Sequence, residues 1–222
     1  AMDEDTKIHP QMVEKYSVSG PNNLTYTFTL RDGLMFHDGA PVTSANVIQS
    51  IKRWGGNDSM GQILMKFIKE MKAVDDKTFQ LILNEPFGLV LVALGKPSSN
   101  VPFIMPKRVA DTPKDTQISE YVGSGPFVFD AANWKPGDKA VFRKNTAYRP
   151  RAGKPSWGAG GKVVNVDTVE WISIKDHNTA VNALISGEVD YIESPPVDLL
   201  PLLEAADNVK VEVLNKLGNQ LM

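Results

Sequence analysis

The sequence contains no cysteine, which excludes disulfides, thiolate nucleophiles and cysteine-ligated zinc or iron–sulfur centres. Histidine is scarce: His9, His37 and His177 are the three present. They are widely spaced and fall in no H-x-x-x-H or H-E-x-x-H pattern, so no metal site and no cofactor is expected. An excess of one charge is also lacking. With 24 basic against 26 acidic side chains the net charge is -2, and no broad positive field marks a nucleic-acid or anionic-membrane partner. Long hydrophobic runs are missing too. The stretch FGLVLVALG at 87–95 is far too short to cross a bilayer. The opening AMDEDTKIHP is acidic, without the basic-then-apolar order of a secretory signal. No internal repeat or low-complexity tract is found.

What is present is an ordinary globular composition over 222 residues, 42% hydrophobic and 23% charged, enough to bury a core. LTYTFTL alternates, with Leu24, Tyr26, Phe28 and Leu30 on one side and Thr25, Thr27 and Thr29 on the other, the period of a half-buried strand. A short strand is expected at Leu34–Phe36 between two Asp-Gly turns. Thr43 is placed to cap a helix carrying Val47, Ile48, Ile51 and Trp54, which Gly55-Gly56 should stop. A second helix is read over 60–72, a strand in TFQLILN and a short helix in EPFGLVLVALG. After a polar stretch at 107–120, FVFD and KAVFRKN form a hairpin about Pro136-Gly137. The remainder alternates strands and helices: a strand at 167–174, a helix at 177–186 ended by Gly187, and a strand in VDYIES. A helix capped by Asp198 and a last strand in NVKVEVLN follow. This interleaving argues for an α/β fold.

The glycine-rich YVGSGPFVFD at 121–130 matches no catalytic or phosphate-binding motif. A phosphate loop needs Lys and Ser/Thr opening a helix, and a nucleophile elbow needs G-x-S-x-G before a helix. Here Pro126 leads into a strand, so a turn entering that strand is expected. Asp38, Asp75, Asp76, Glu85, Asp190 and Glu193 are acids by type, read as turn or surface groups. The loop 145–162 mixes Arg143, Lys144, Arg149, Arg151, Lys154 and Lys162 with Tyr148 and Trp157, a composition that can stack bases and hold phosphates. The near-neutral total charge does not extend that patch, and a solvated loop is expected.

Four stretches, YTFTLRDGLMFHDGAPVTSANVIQSIKR (26–53), GSGPFVF (123–129), NTAY (145–148) and AVNALISGEVDYI (180–192), carry a resemblance in their order and spacing. Together the chain resembles the periplasmic solute-binding proteins of ABC importers for dipeptides, oligopeptides and nickel, the family 5 extracellular solute-binding proteins. The resemblance implies a mixed-sheet α/β lobe of a type II periplasmic-binding-protein-like fold with a small α+β subdomain. Residues 1–118 would form that subdomain with an N-terminal lead-in, and 119–222 the central part of the α/β subdomain, with the second lobe absent. The chain would be a fragment covering most of the first lobe. The implied role is extracytoplasmic capture of a peptide or similar polar solute and its delivery to an ABC permease, without enzymatic activity, by a monomer with weak self-association through the exposed lobe face. By the same resemblance Arg53, Trp54, Asp58 and Met60, after the first helix, and Lys96, Ser98, Ser99 and Asn100, in the KPSSN loop, would face the solute. Two other readings stay open: a hydrolase using Ser124 or an acidic pair, and a sensor module derived from the receptor fold.

Overall fold

The computed structural model describes residues 1–213. It forms two compact units, one of Ala1–Ala132 with Val141–Val169, the other of Asn133–Ala140 with the residues from Glu170 onward.

The first unit is built on a four-stranded antiparallel sheet of β1 (Val13–Ser19), β2 (Thr25–Leu30), β3 (Ile68–Ala73) and β4 (Thr78–Leu83), ordered β1-β2-β4-β3. Alternation decides its faces. Phe28 and Leu30 of β2 and Phe79, Leu81 and Leu83 of β4 are buried, while on the opposite face Gln80 Nε2 donates to Thr27 Oγ1 at 3.1 Å. Register places Tyr16, Phe28 and Phe79 side by side across three strands. Their rings form a ladder with centroids 6.0 Å and 5.1 Å apart.

Helix α1 (Ser44–Asn57) lays Val47, Ile48, Ile51 and Trp54 into the core. Thr43 is its N-cap as expected: Asn46 Oδ1 accepts from Thr43 N at 2.8 Å and from Thr43 Oγ1 at 2.7 Å. Gly55 and Gly56 do not stop α1, which runs through them to Asn57. They serve close approach instead. A Cβ on Gly55 would lie 2.5 Å from Met65 Cγ, and one on Gly61 would lie 2.9 Å from Gly55 Cα, so α1 and the next helix meet glycine to glycine.

That helix, α2 (Ser59–Phe67), is shorter than the 60–72 reading, because Ile68–Ala73 is strand β3. A register shift between Ile68 and Glu70 in the β3–β4 pairing explains the misreading. The bulge adds one residue, so Ile68 and Met71 both pack on the core at a three-residue spacing that a regular strand does not give and a helix does. Helices α3 (Val90–Gly95) and α4 (Lys107–Ala110) follow. The strand expected at Leu34–Phe36 is reduced to a single bridge, Met35 to Pro41, because the Asp38-Gly39 turn closes at once: Phe36 N donates to Ala40 O at 2.8 Å.

Strand β5 (Phe127–Phe129) pairs antiparallel with β6 (Lys139–Lys144), the hairpin anticipated from FVFD and KAVFRKN. The 145–162 segment contains no helix or strand. Strand β7 (Thr168–Ile172) comes next.

In the second unit Asp176 caps α5 (His177–Ile185), its Oδ1 accepting from Thr179 N at 2.8 Å. Gly187, with φ of 77°, lies just past the helix end as expected, in a left-handed conformation that costs glycine nothing. Helix α6 (Leu200–Glu204) has Pro201 in its first turn. Asp198 does not cap it. A 3-10 turn over Val197–Leu199 precedes α6, and Asp198 lies inside that turn. VDYIES is not a strand, nor are residues 208–213 of NVKVEVLN; Leu214 and Asn215 of that stretch lie outside the described residues.

Candidate functional site

Asp58 joins two helices by ending α1 and opening α2. Its N–H donates to Trp54 O at 2.9 Å, and its Oδ1 accepts from Gly61 N at 2.9 Å. Only 2% of the residue is exposed. Its second oxygen reaches the KPSSN loop: Oδ2 accepts from Lys96 Nζ at 2.9 Å and from Ser99 Oγ at 3.4 Å. Lys96 sits at the C-terminal cap of α3, where its own N–H donates to Val92 O at 2.9 Å. Its ammonium donates a second bond to Ser98 O at 2.9 Å. Trp54 completes the cluster by donating from Nε1 to Asn100 O at 2.7 Å.

Burial opposes charge on Asp58. The Lys96 ammonium, the Gly61 N–H and the Ser99 hydroxyl outweigh it and hold the carboxyl below the usual carboxylate range. The loop is thus tied at Lys96, Ser98, Ser99 and Asn100 to one buried carboxylate and one buried indole. Ser99 adopts a positive φ of 59°, a strained conformation for a serine that these bonds sustain.

Six of the eight residues singled out from the sequence therefore come together, in two roles. Trp54, Asp58 and Lys96 are the buried side, and Ser98, Ser99 and Asn100 are exposed above them. The other two lie apart. Arg53 donates to the carbonyls of Thr112, Pro113 and Thr116, fixing the segment after α4. Met60 packs against the hydrophobic core.

GSGPF is held by side chains whose part was not foreseen. His37 N donates to Gly123 O at 2.8 Å, and Gly123 N donates to His37 Nδ1 at 3.3 Å, which leaves Nε2 to donate to Gly125 O at 3.1 Å. Asn145 Nδ2 donates to the same carbonyl at 3.0 Å, and Asn145 N to Pro126 O at 2.8 Å. Both ring nitrogens of the histidine beside Ser124 are occupied by backbone, leaving neither to serve that serine as a general base. A cavity of about 480 Å³ has residues 122–126 in its wall with Arg31, Glu120 and Tyr148.

Two of the candidate acids are engaged in structural bonds. Asp38 accepts from Ala40 N and pairs with Arg108 at 2.9 Å, and Asp75 accepts from Lys77 N and Thr78 N. Backbone bonds foremost hold both carboxyls below their ordinary range, the reverse of what a general acid requires. In the basic loop Arg151 Nη1 donates to Val13 O at 2.8 Å and Arg149 O accepts from Arg31, while Arg143 pairs with Asp130 at 2.7 Å. Among the described residues no group of three or more His, Asp or Glu side chains could hold a metal ion.

The first unit is thus a strand-built frame that fixes a polar loop on a buried carboxylate. Residues 7–221 match the family described as Bacterial extracellular solute-binding proteins, family 5 Middle, and the chain belongs to that family. It is 44% identical over 218 residues to the Probable peptide ABC transporter periplasmic-binding protein y4tO of Sinorhizobium fredii, covering 97% of this chain and 40% of that protein. Two solved structures are similar. The periplasmic binding protein AgaA of A. tumefaciens R10, in complex with agropinic acid, is 31% identical with a TM-score of 0.70 over 93% of this chain and 39% of that one. DppA of Helicobacter pylori, in complex with the peptide STSA, is 27% identical with a TM-score of 0.68 over 91% of this chain and 41% of that one. The α/β architecture read from the sequence is that of these periplasmic binding proteins, and the chain spans about 40% of the length of such relatives. Among the described residues no helix is long and apolar enough to cross a membrane.

Proposed function

We propose that the chain is one lobe of a two-lobe extracytoplasmic receptor that captures a peptide or similarly small polar solute and delivers it to an ABC permease, without catalysing a reaction. The observation that carries this reading is the identity of 44%, over almost the whole chain, with a protein named as a peptide-binding component of an ABC transporter. The geometry supports it. Ser98 and Asn100 offer a hydroxyl and an amide on a loop anchored from beneath, the arrangement that orients a polar ligand. Residues 1–118 would form the small subdomain and 119–222 part of the α/β subdomain, with a second lobe closing over the solute. Half of a cleft recovers far less than half of the affinity, because the ordering costs of binding are met in full.

The experiment is a thermal-shift screen of the full-length receptor beside this chain, against dipeptides, longer peptides, opines, nickel chelates and simple sugars. One solute class should raise the midpoint of the full-length receptor and leave that of the chain unchanged. Turnover of a peptide or ester that is lost on Ser124→Ala would replace this reading with the hydrolase.

A further inference from the structure

A second binding feature lies within the first unit, a cavity of about 520 Å³, inside the range of about 300–1,000 Å³ that holds small molecules. The aromatic ladder of Tyr16, Phe28 and Phe79 lines it, joined by Leu30 of β2, Ile51 of α1, and Leu91 and Leu94 of α3. No Asp or Glu is among its lining residues. The basic side chains at its edge are unequal. Lys96 is matched by Asp58 at 2.9 Å and His9 by Asp3 at 2.6 Å. Lys162 has no carboxylate within ion-pair distance among the described residues, and its ammonium makes one long bond, 3.4 Å, to Trp157 O. Burial holds Lys162 below the ordinary lysine range, as befits a cation without a partner. Gln11 also lines the cavity. Its Nε2 donates to Gly160 O at 3.0 Å, which fixes the amide, and its Oε1 is buried without a hydrogen-bond donor.

An apolar chamber, an unmatched lysine with the Ala1 ammonium nearby and an unsatisfied acceptor specify a ligand with an apolar tail, an N–H donor near its head and a carboxylate. We propose that this cavity binds an N-acyl amino acid, with the acyl chain over the aromatic ladder, the amide N–H on Gln11 Oε1 and the carboxylate on Lys162. A free peptide fits less well, because its ammonium would enter a chamber with cations and no carboxylate. The cavity abuts the Ser98–Asn100 loop through Lys96, Pro97 and Val101 without including it, and its occupancy does not depend on the transport reading.

The test is calorimetric titration of the 222-residue chain with N-decanoylglycine. One saturable site is expected, tightening roughly fourfold per methylene from the octanoyl to the decanoyl compound. The methyl ester should bind at least about tenfold more weakly, since it forfeits a charged hydrogen bond, and decanoate about fivefold more weakly for want of the N–H. Lys162→Met should bring the affinity for the acid down towards that for the ester and leave the ester unchanged. Leu94→Trp should fill the chamber and remove binding of all three. Lys162 is only partly buried, so its variant gives an answer even where the tryptophan variant fails to fold. No saturable binding, equal binding of acid and ester, or an unaltered titration in Lys162→Met would each overturn the proposal.

Discussion

The two units differ in how they keep their apolar residues from water. The first buries a continuous cluster from Phe28 to Ala93 between sheet and helices. In the second, Val181, Ala183 and Leu203 are buried among the described residues, whereas Trp171 is 61% and Val197 77% exposed. The contrast shows where local sequence is sufficient. In the first unit the alternating strands β2 and β4 have paired neighbours and share one buried cluster with α1. In the second, VDYIES and the start of NVKVEVLN have strand-like composition and no ladder among the described residues, and a strand without neighbours leaves its backbone to water.

The largest effect should come from the first unit's buried ion pair. Lys96→Met leaves the Asp58 charge without its partner and should cost about 3–5 kcal/mol by denaturant unfolding. A cost near zero would show that the loop contributes nothing to the first unit. Leu81→Ala, at a fully buried position of β4, should cost about 2–5 kcal/mol. The same truncation at Leu202, 48% exposed on α6, should fall within about 0.5 kcal/mol. Equal losses at the two positions would erase the comparison.

Acid should act through Asp58. Its carboxyl is held below the usual range in the folded chain, so the stability it contributes is present above the unfolded carboxylate value of about 3.9 and is lost as pH falls through the lower folded value. Asp58→Asn should therefore flatten the acid limb of a stability–pH curve for the first unit, and an unaltered limb would assign that dependence to other carboxylates. The smallest effect belongs to the second unit. Asp176→Ala, which removes the cap of α5, should loosen that helix alone. Hydrogen exchange should register it in 177–185 while the amides of β2 and β4 keep their protection.

Much of this could be read from residue order. Thr43, Gly187 and the alternation of LTYTFTL each declare a cap, a helix end and a strand through local chemistry. β3 escaped because a bulge imitates helical spacing, and β1 because VEKYSVS carries few apolar residues and takes its place from pairing with β2. Gly55-Gly56 misled because glycine serves both helix ends and close contacts, and only the meeting with Gly61 decides between them. At the candidate site the resemblance supplied residue positions without their division of labour. That Lys96 spends its charge on Asp58 while Ser98 and Ser99 remain outside depends on long-range distances. His37 and Asn145 stood in the quoted FHDG and NTAY stretches, yet their grip on GSGPF joins residues 88 and 20 positions apart.

The account rests most directly on capture by two lobes. Titration calorimetry of a peptide ligand found in the screen, run against the full-length receptor and this chain side by side, tests it. The account predicts saturable binding to the receptor, weakened by Ser98→Ala and Asn100→Ala, and affinity lower by orders of magnitude for the chain alone. Equal affinity in the two would place the whole site within these 222 residues and contradict closure of a second lobe over the solute.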